Sequence, residues 1–171
     1  MSRARLYLGI VFAAPVTVLT GLFYLLPFWA LGWYSYHGVE TAPADKSPLG
    51  IGLVFTLNAD KAPDFVNKYW RNWAGHCVGS TVVLKRAAQN GLITLNHELH
   101  HVHQMHTLGF LQPILYAASS FISYCAGEKL YNDNAFEVAA RRAAGQVADP
   151  ASFTQGYLHC KNDVKNTAVK L

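Results

Sequence analysis

At 171 residues the chain has room for one small folded domain. Lys and Arg total 14 against 10 Asp and Glu, and Arg3 and Arg5 supply two of the resulting four positive charges, so the balance is too small to argue for a nucleic-acid partner. The three cysteines, Cys77, Cys125 and Cys160, are too widely spaced for a zinc ribbon and cannot all pair within one chain, which makes free thiols the simpler reading.

Residues 6–37 contain no Asp, Glu, Lys or Arg and exceed the ~20 residues that cross a bilayer. Arg3 and Arg5 precede this run, while Trp29, Trp33, Tyr34 and Tyr36 stand near its far end in the manner of an interfacial aromatic belt. The pattern predicts an uncleaved membrane anchor over residues 1–37, since the apolar run is too long for a cleaved signal peptide and Ala42-Pro43-Ala44 is a poor cleavage site. Pro15 and Pro27, with Gly9, Gly21 and Gly32, predict a kinked or interrupted span, or a short hairpin. Basic residues before the run and Glu40 and Asp45 after it favour a single pass with a cytoplasmic N-terminus and an extracytoplasmic domain; a hairpin would reverse this. A linker at 38–48, a folded domain at 49–160 and a polar tail at 161–171 follow.

Within the domain, the apolar run at 51–57 reads as a strand able to pair with the β-branched run at 80–85, and Trp70 and Trp73 between them read as packing residues in a short helix or loop. His76 could line a cleft or pack. The chemistry begins at His97-Glu98-Leu99-His100-His101, a His-Glu-x-x-His pattern in a segment with helical periodicity. At ~100° per residue, His97 and His101 fall on one face and can reach one ion, while Leu95, Leu99 and Val102 give the opposite face an apolar surface to bury. Glu98, on the flank, is placed to take a proton from a metal-activated water attacking a carbonyl. His100, His103 and His106 do not share that angular position and read as surface or packing residues.

A catalytic zinc site needs a third protein donor. The best candidate is Glu137, on an Ala-rich helix that Asp133 or Asn134 can cap, that stops at Gly145, and whose Ala140 and Ala144 permit close approach to another helix.

These residues resemble the gluzincin class of zinc metallopeptidases, in which His-Glu-x-x-His on one helix is completed by a Glu on a following one. The closest likeness is to short membrane-associated bacterial and phage proteins. The matching elements are His97-Glu98-Leu99-His100-His101, Val102-His103-Gln104, Leu108-Gly109, Tyr116 and Asn134-Ala135-Phe136-Glu137-Val138-Ala139-Ala140-Arg141, across residues 75–144. The resemblance implies a small α+β zincin-like domain with zinc at His97, His101 and Glu137, Glu98 as general base, and a peptide or protein substrate. It also implies an edge strand to align the substrate, for which 80–85 is the natural choice. The chain departs from better-known membrane gluzincins at Arg141, where an Asp commonly braces a histidine; Asp133, Asn134 or a backbone carbonyl is left for that task. Tyr124, Tyr131, Tyr157 and His159 are the candidates to stabilise the oxyanion.

Residues 108–127 form a second uncharged run of spanning length. A straight crossing would put His97 and His101 on one side of a ~30 Å layer and Glu137 on the other, so a shared metal requires this run to fold back or lie at the membrane surface. A membrane di-iron oxygenase fails because the chain has only one His cluster, whereas a non-enzymatic membrane or virion component keeping the metal site for structure leaves Glu98 without a purpose.

Overall fold

Uncharged sequence at the N-terminus forms helix: α1 (Arg3–Thr20), a π-helical turn at Gly21–Leu25, and α2 (Leu26–Ala30). The computed structural model, which describes residues 3–41, 50–85 and 91–146, joins these into one apolar helix, Tyr7–Ala30, long enough to cross a membrane. Pro15 lies inside α1 and Pro27 follows the π-helical turn in the first turn of α2, yet the helix runs on through both, so no hairpin forms within Tyr7–Ala30. The helical run stops at Ala30. Residues 34–41, given by the sequence to the end of the anchor and the start of the linker, instead form β1 (Tyr34–Thr41). Tyr34 is a core residue, with Trp70 Nε1 donating to its hydroxyl at 3.2 Å, and takes no part in an interfacial belt. Most of the predicted linker and all of the polar tail lie outside the described residues.

The sheet adds β2 (Ile51–Leu57), β3 (Gly75–Val78) and β4 (Thr81–Leu84) in the order β1-β2-β4-β3. The two runs expected as strands do pair, in parallel, with Val54 opposite Val82 and Phe55 opposite Val83. The expected edge strand is corrected: β4 is interior, all four of its residues are buried, and β3 occupies the edge. A run apolar on both faces is what an interior strand needs, because both sides meet protein. One side packs Val54, Val82 and Leu84 against Leu99 and Val102; the other packs Val83, Tyr34 and Leu57 against Val66 of the short helix α3 (Asp64–Tyr69) and Trp70 of the turn that follows it.

Helix α4 (Gly91–Leu108, which carries His97 and His101) and helix α5 (Leu111–Cys125) meet at a 114° bend, where Gly109 takes the left-handed φ of +59° that ends the first and starts the second. The uncharged run at 108–127 therefore turns back rather than continuing straight on. Helix α6 (Ala135–Ala143) packs on both α4 and α5, with Ala140 fully buried as its size anticipated. Among the described residues Cys77 and Cys125 are free thiols.

Helix α1 is docked on the domain for most of its length. Gly9 lies against α4, Thr17 Oγ1 accepts from Ser80 N at 2.9 Å, and Tyr24 OH pairs with His76 Nε2 at 2.9 Å. A Cβ at Gly9 would stand 2.6 Å from the His106 carbonyl oxygen, which is backbone and cannot swing away. Gly9→Val is accordingly expected to destabilise the whole detergent-solubilised chain by about 1–3 kcal/mol, the usual cost of overpacking. Thermal unfolding followed by circular dichroism checks this, and an unchanged midpoint would show that α1 does not support the domain.

Candidate metal centre

Helix α4 sets the site because its four-residue spacing stacks two imidazoles. His97 and His101 are both buried, with Nε2 atoms 3.2 Å apart. Leu99 and Val102 bury the opposite face against the sheet, so the helix cannot rotate its histidines away without exposing core. Helix α6 brings Glu137 to the same point: Oε2 lies 3.2 Å from His97 Nε2 and Oε1 lies 3.2 Å from His101 Nε2. These three residues form a group able to hold a metal ion.

The fit can be tested by distance. Donors about 2.0–2.1 Å from a tetrahedral ion are separated from one another by about 3.3 Å; here the two Nε2 atoms are 3.2 Å apart, each is 3.2 Å from one oxygen of Glu137, and one donor atom from each residue falls within 4.8 Å of the others. Glu137 Oε2 is buried and accepts no hydrogen bond among the described residues, with His97 Nε2 at 3.2 Å and Arg141 Nη1 at 3.9 Å beside it. An oxygen in that state suits a cation. Burial alone would raise the Glu137 carboxyl, yet the adjoining His101 and His97 imidazoles, with the Tyr116 hydroxyl donating to Oε1, pull it well below the usual carboxylate range, so it is an anion.

The two imidazoles are held from behind by residues the sequence did not single out for the task. His101 Nδ1 is 2.8 Å from Gln104 Oε1, and Gln104 Nε2 donates to the Phe136 carbonyl at 3.0 Å, tying α4 to α6. His97 Nδ1 is 3.2 Å from Gln146 Oε1. With a glutamine oxygen at each Nδ1, both rings keep that proton and present Nε2 to the site. The expectation that Asp133 or Asn134 braces a histidine is therefore corrected. Asp133 accepts from Lys129 N, and Asn134 is the cap of α6. Gln104 carries a legible signal, one turn beyond His101; Gln146 reaches His97 only through the turn after α6. Arg141, the departure noted in the sequence, lies with Nη1 3.9 Å from Glu137 Oε2 and donates to the Asn132 carbonyl, so it supports the carboxylate rather than an imidazole.

Asn134 is fully buried and makes three bonds: Oδ1 accepts from Phe136 N at 2.8 Å, and Nδ2 donates to the Tyr116 carbonyl at 3.0 Å and to Ser120 Oγ at 2.7 Å. Losing the cap and leaving buried acceptors unmet predicts that Asn134→Ala costs about 2–4 kcal/mol. Asn134→Asp, which keeps the cap and loses both donated bonds, should fall between it and wild type in chemical denaturation.

Two cavities, of about 280 Å³ and about 600 Å³, meet at Trp73, Gly75, Glu98 and Tyr131. Glu98 is almost completely buried, and burial pushes its carboxyl up to about 7 against the lowering influence of His101 and His97. Gly75, on the edge strand, leaves that carboxylate its place: a Cβ there would stand 3.1 Å from Oε1. The smaller cavity is walled by Val16 of α1, Val78 of β3, Met105 of α4 and Pro113 of α5, a mostly apolar surface. His76 lines it, stacked on Trp70 at 4.7 Å, and burial lowers its imidazole to about 4. Cys77 also lines it, with burial raising its thiol well above the ordinary value.

Of the oxyanion candidates, Tyr131 is at the cleft, while Tyr124 is 63% exposed on α5 and is not among the cleft-lining residues. Tyr157 and His159 lie outside the described residues. Tyr116 was noted only as part of the resemblance, and its hydroxyl donates to Glu137 Oε1 at 2.8 Å. Trp73, expected to pack, forms the lip of the cleft edge-on to Tyr131. His106 is buried against Ser80, with Nε2 2.8 Å from its Oγ, in keeping with a packing role. No family model matches the chain, and no curated protein or solved structure is significantly similar to it.

Proposed function

We propose that the protein is a membrane-associated zinc-dependent peptidase of gluzincin type. The observation that carries the reading is a buried carboxylate, Glu98, opening into a cleft beside three donors spaced for one tetrahedral ion. His97, His101 and Glu137 would hold the ion, and two imidazoles with one carboxylate suit zinc. Zinc bound there would supply Lewis acidity for water and for the scissile carbonyl.

The chain's own residues supply the rest. The Glu98 carboxylate takes a proton from the attacking water as its oxygen bonds to the carbonyl carbon, then returns that proton to the leaving amine as the C–N bond breaks. Tyr131 is the described residue best placed to donate a hydrogen bond to the oxyanion. The outer edge of β3, at the end of the sheet and along the cleft wall, would align an extended peptide by backbone hydrogen bonds. The apolar cavity favours a bulky apolar side chain next to the cleaved bond. The Tyr7–Ala30 helix supports membrane association.

The test is exposure of the zinc-loaded, detergent-solubilised chain to a library of synthetic peptides, with new termini read by mass spectrometry. Cuts beside bulky apolar residues, lost on chelation and restored by zinc, are expected. Absence of cleavage across the library, or cleavage indifferent to chelation, would overturn the proposal; unfolding on metal removal without any cleavage would favour a structural metal site instead.

A further inference from the structure

Helix α5 is inside out for a protein surrounded by water. Its inward stripe is polar: Tyr116 bonds Glu137, Ser119 Oγ accepts from Ala135 N, Ser120 Oγ accepts from Asn134, and Ser123 Oγ donates to the Asp133 carbonyl. Its outward stripe is apolar, with Ile114, Phe121 and Ile122 each at least 60% exposed, and no residue of Leu111–Cys125 is charged. A surface helix in water shows the reverse arrangement.

Helix α1 shares the outward half of this pattern. Small residues, Gly9, Ala13 and Thr17 at four-residue spacing, face the domain, while Leu8, Val11, Val18, Leu19 and Phe23 are exposed. Helix α1 comes close to the start of α5 where Phe12 lies against Gly109, in the turn between α4 and α5.

We propose that α1 and α5 together form one membrane-binding face lying in the hydrocarbon of a single bilayer leaflet, with the sheet left in water. Lipid is favoured over a second copy of the chain because both faces lack charge, the Tyr7–Ala30 run has spanning length, and Arg3 and Arg5 precede that run where anionic headgroups would lie. Lying along the leaflet is favoured over crossing because the domain is attached from Gly9 to Tyr24, about 22 Å of helix. A perpendicular crossing would draw His76, Ser80 and the open edge of β3 into hydrocarbon, where free backbone groups have no partner. This topology replaces the free single-pass anchor read from hydropathy, and it does not depend on the metal or on peptidase activity.

Single cysteines at Leu8, Leu19, Leu26, Ile114 and Ile122, with Glu40 as the water-exposed control, would carry an environment-sensitive fluorophore in the full chain, with Cys77 replaced by alanine and Cys125 and Cys160 by serine. The protein would be placed in phosphatidylcholine–phosphatidylglycerol vesicles containing lipids with quenchers at shallow or deep positions. The face predicts loss of most fluorescence at all five positions, similar depths at Leu8, Leu19 and Leu26, and no quenching at Glu40. Unquenched Ile114 and Ile122, or a depth maximum at Leu19 with both ends of α1 shallow, would overturn it. Labels at Ile114 and Ile122 shielded from lipid quenchers but exposed on dilution would overturn it in favour of a second copy.

Discussion

Glu98→Gln is expected to leave bound zinc near the wild-type level while slowing peptide hydrolysis by about 100- to 10,000-fold, the range for loss of a positioned general base. The two effects separate because Glu98 is not one of the three donors; it lines the cleft beside them. Glutamine preserves shape and burial but cannot accept the proton of the attacking water. Gly75 leaves space at Glu98 Oε1, so the near-isosteric amide needs no rearrangement of β3. Metal analysis beside initial rates on a peptide found in the library screen checks the prediction. Equal rates for wild type and variant would remove Glu98 from the mechanism, and loss of zinc would make it part of the metal site.

The second large effect is at Glu137. Glu137→Ala removes the only described donor contributed from outside α4 and is expected to weaken zinc binding by more than the ~10- to 100-fold typical of losing an outer partner of a ligand. Gln104→Ala and Gln146→Ala supply that comparison, since each removes the acceptor at one Nδ1 and leaves the three donors intact. The expected order of affinity is wild type, then the two glutamine variants, then Glu137→Ala, measured by competition with a zinc-sensitive chelator. A Glu137→Ala affinity equal to wild type would mean that the ion is held elsewhere.

The parts of the site on single helices were legible in the sequence because helical periodicity is local. His97 and His101 share a face by spacing alone, and the apolar stripe at Leu99 and Val102 marks which side is buried. The return of α5 followed from geometry, since His97, His101 and Glu137 cannot meet across a straight span. What required tertiary structure was less visible. Gln146 reaches His97 only because the chain turns after α6. The cleft-side strand was assigned to 80–85 because β-branched residues mark buried strand, while the true edge begins at a glycine that reads as punctuation. Tyr34 and Tyr36 continue an uncharged run, so hydropathy placed them at a membrane interface although they belong to β1. Hydropathy likewise treated α1 as uniform, when Gly9, Ala13 and Thr17 distinguish the face that meets the domain.

X-ray absorption at the zinc edge of the full-length, zinc-loaded protein tests the central claim most directly. The account predicts one zinc per chain with two imidazole nitrogens and carboxylate oxygen at about 2.0–2.2 Å, and no sulfur. A sulfur donor near about 2.3 Å, which would implicate a cysteine, or failure to retain zinc at one per chain, would contradict it.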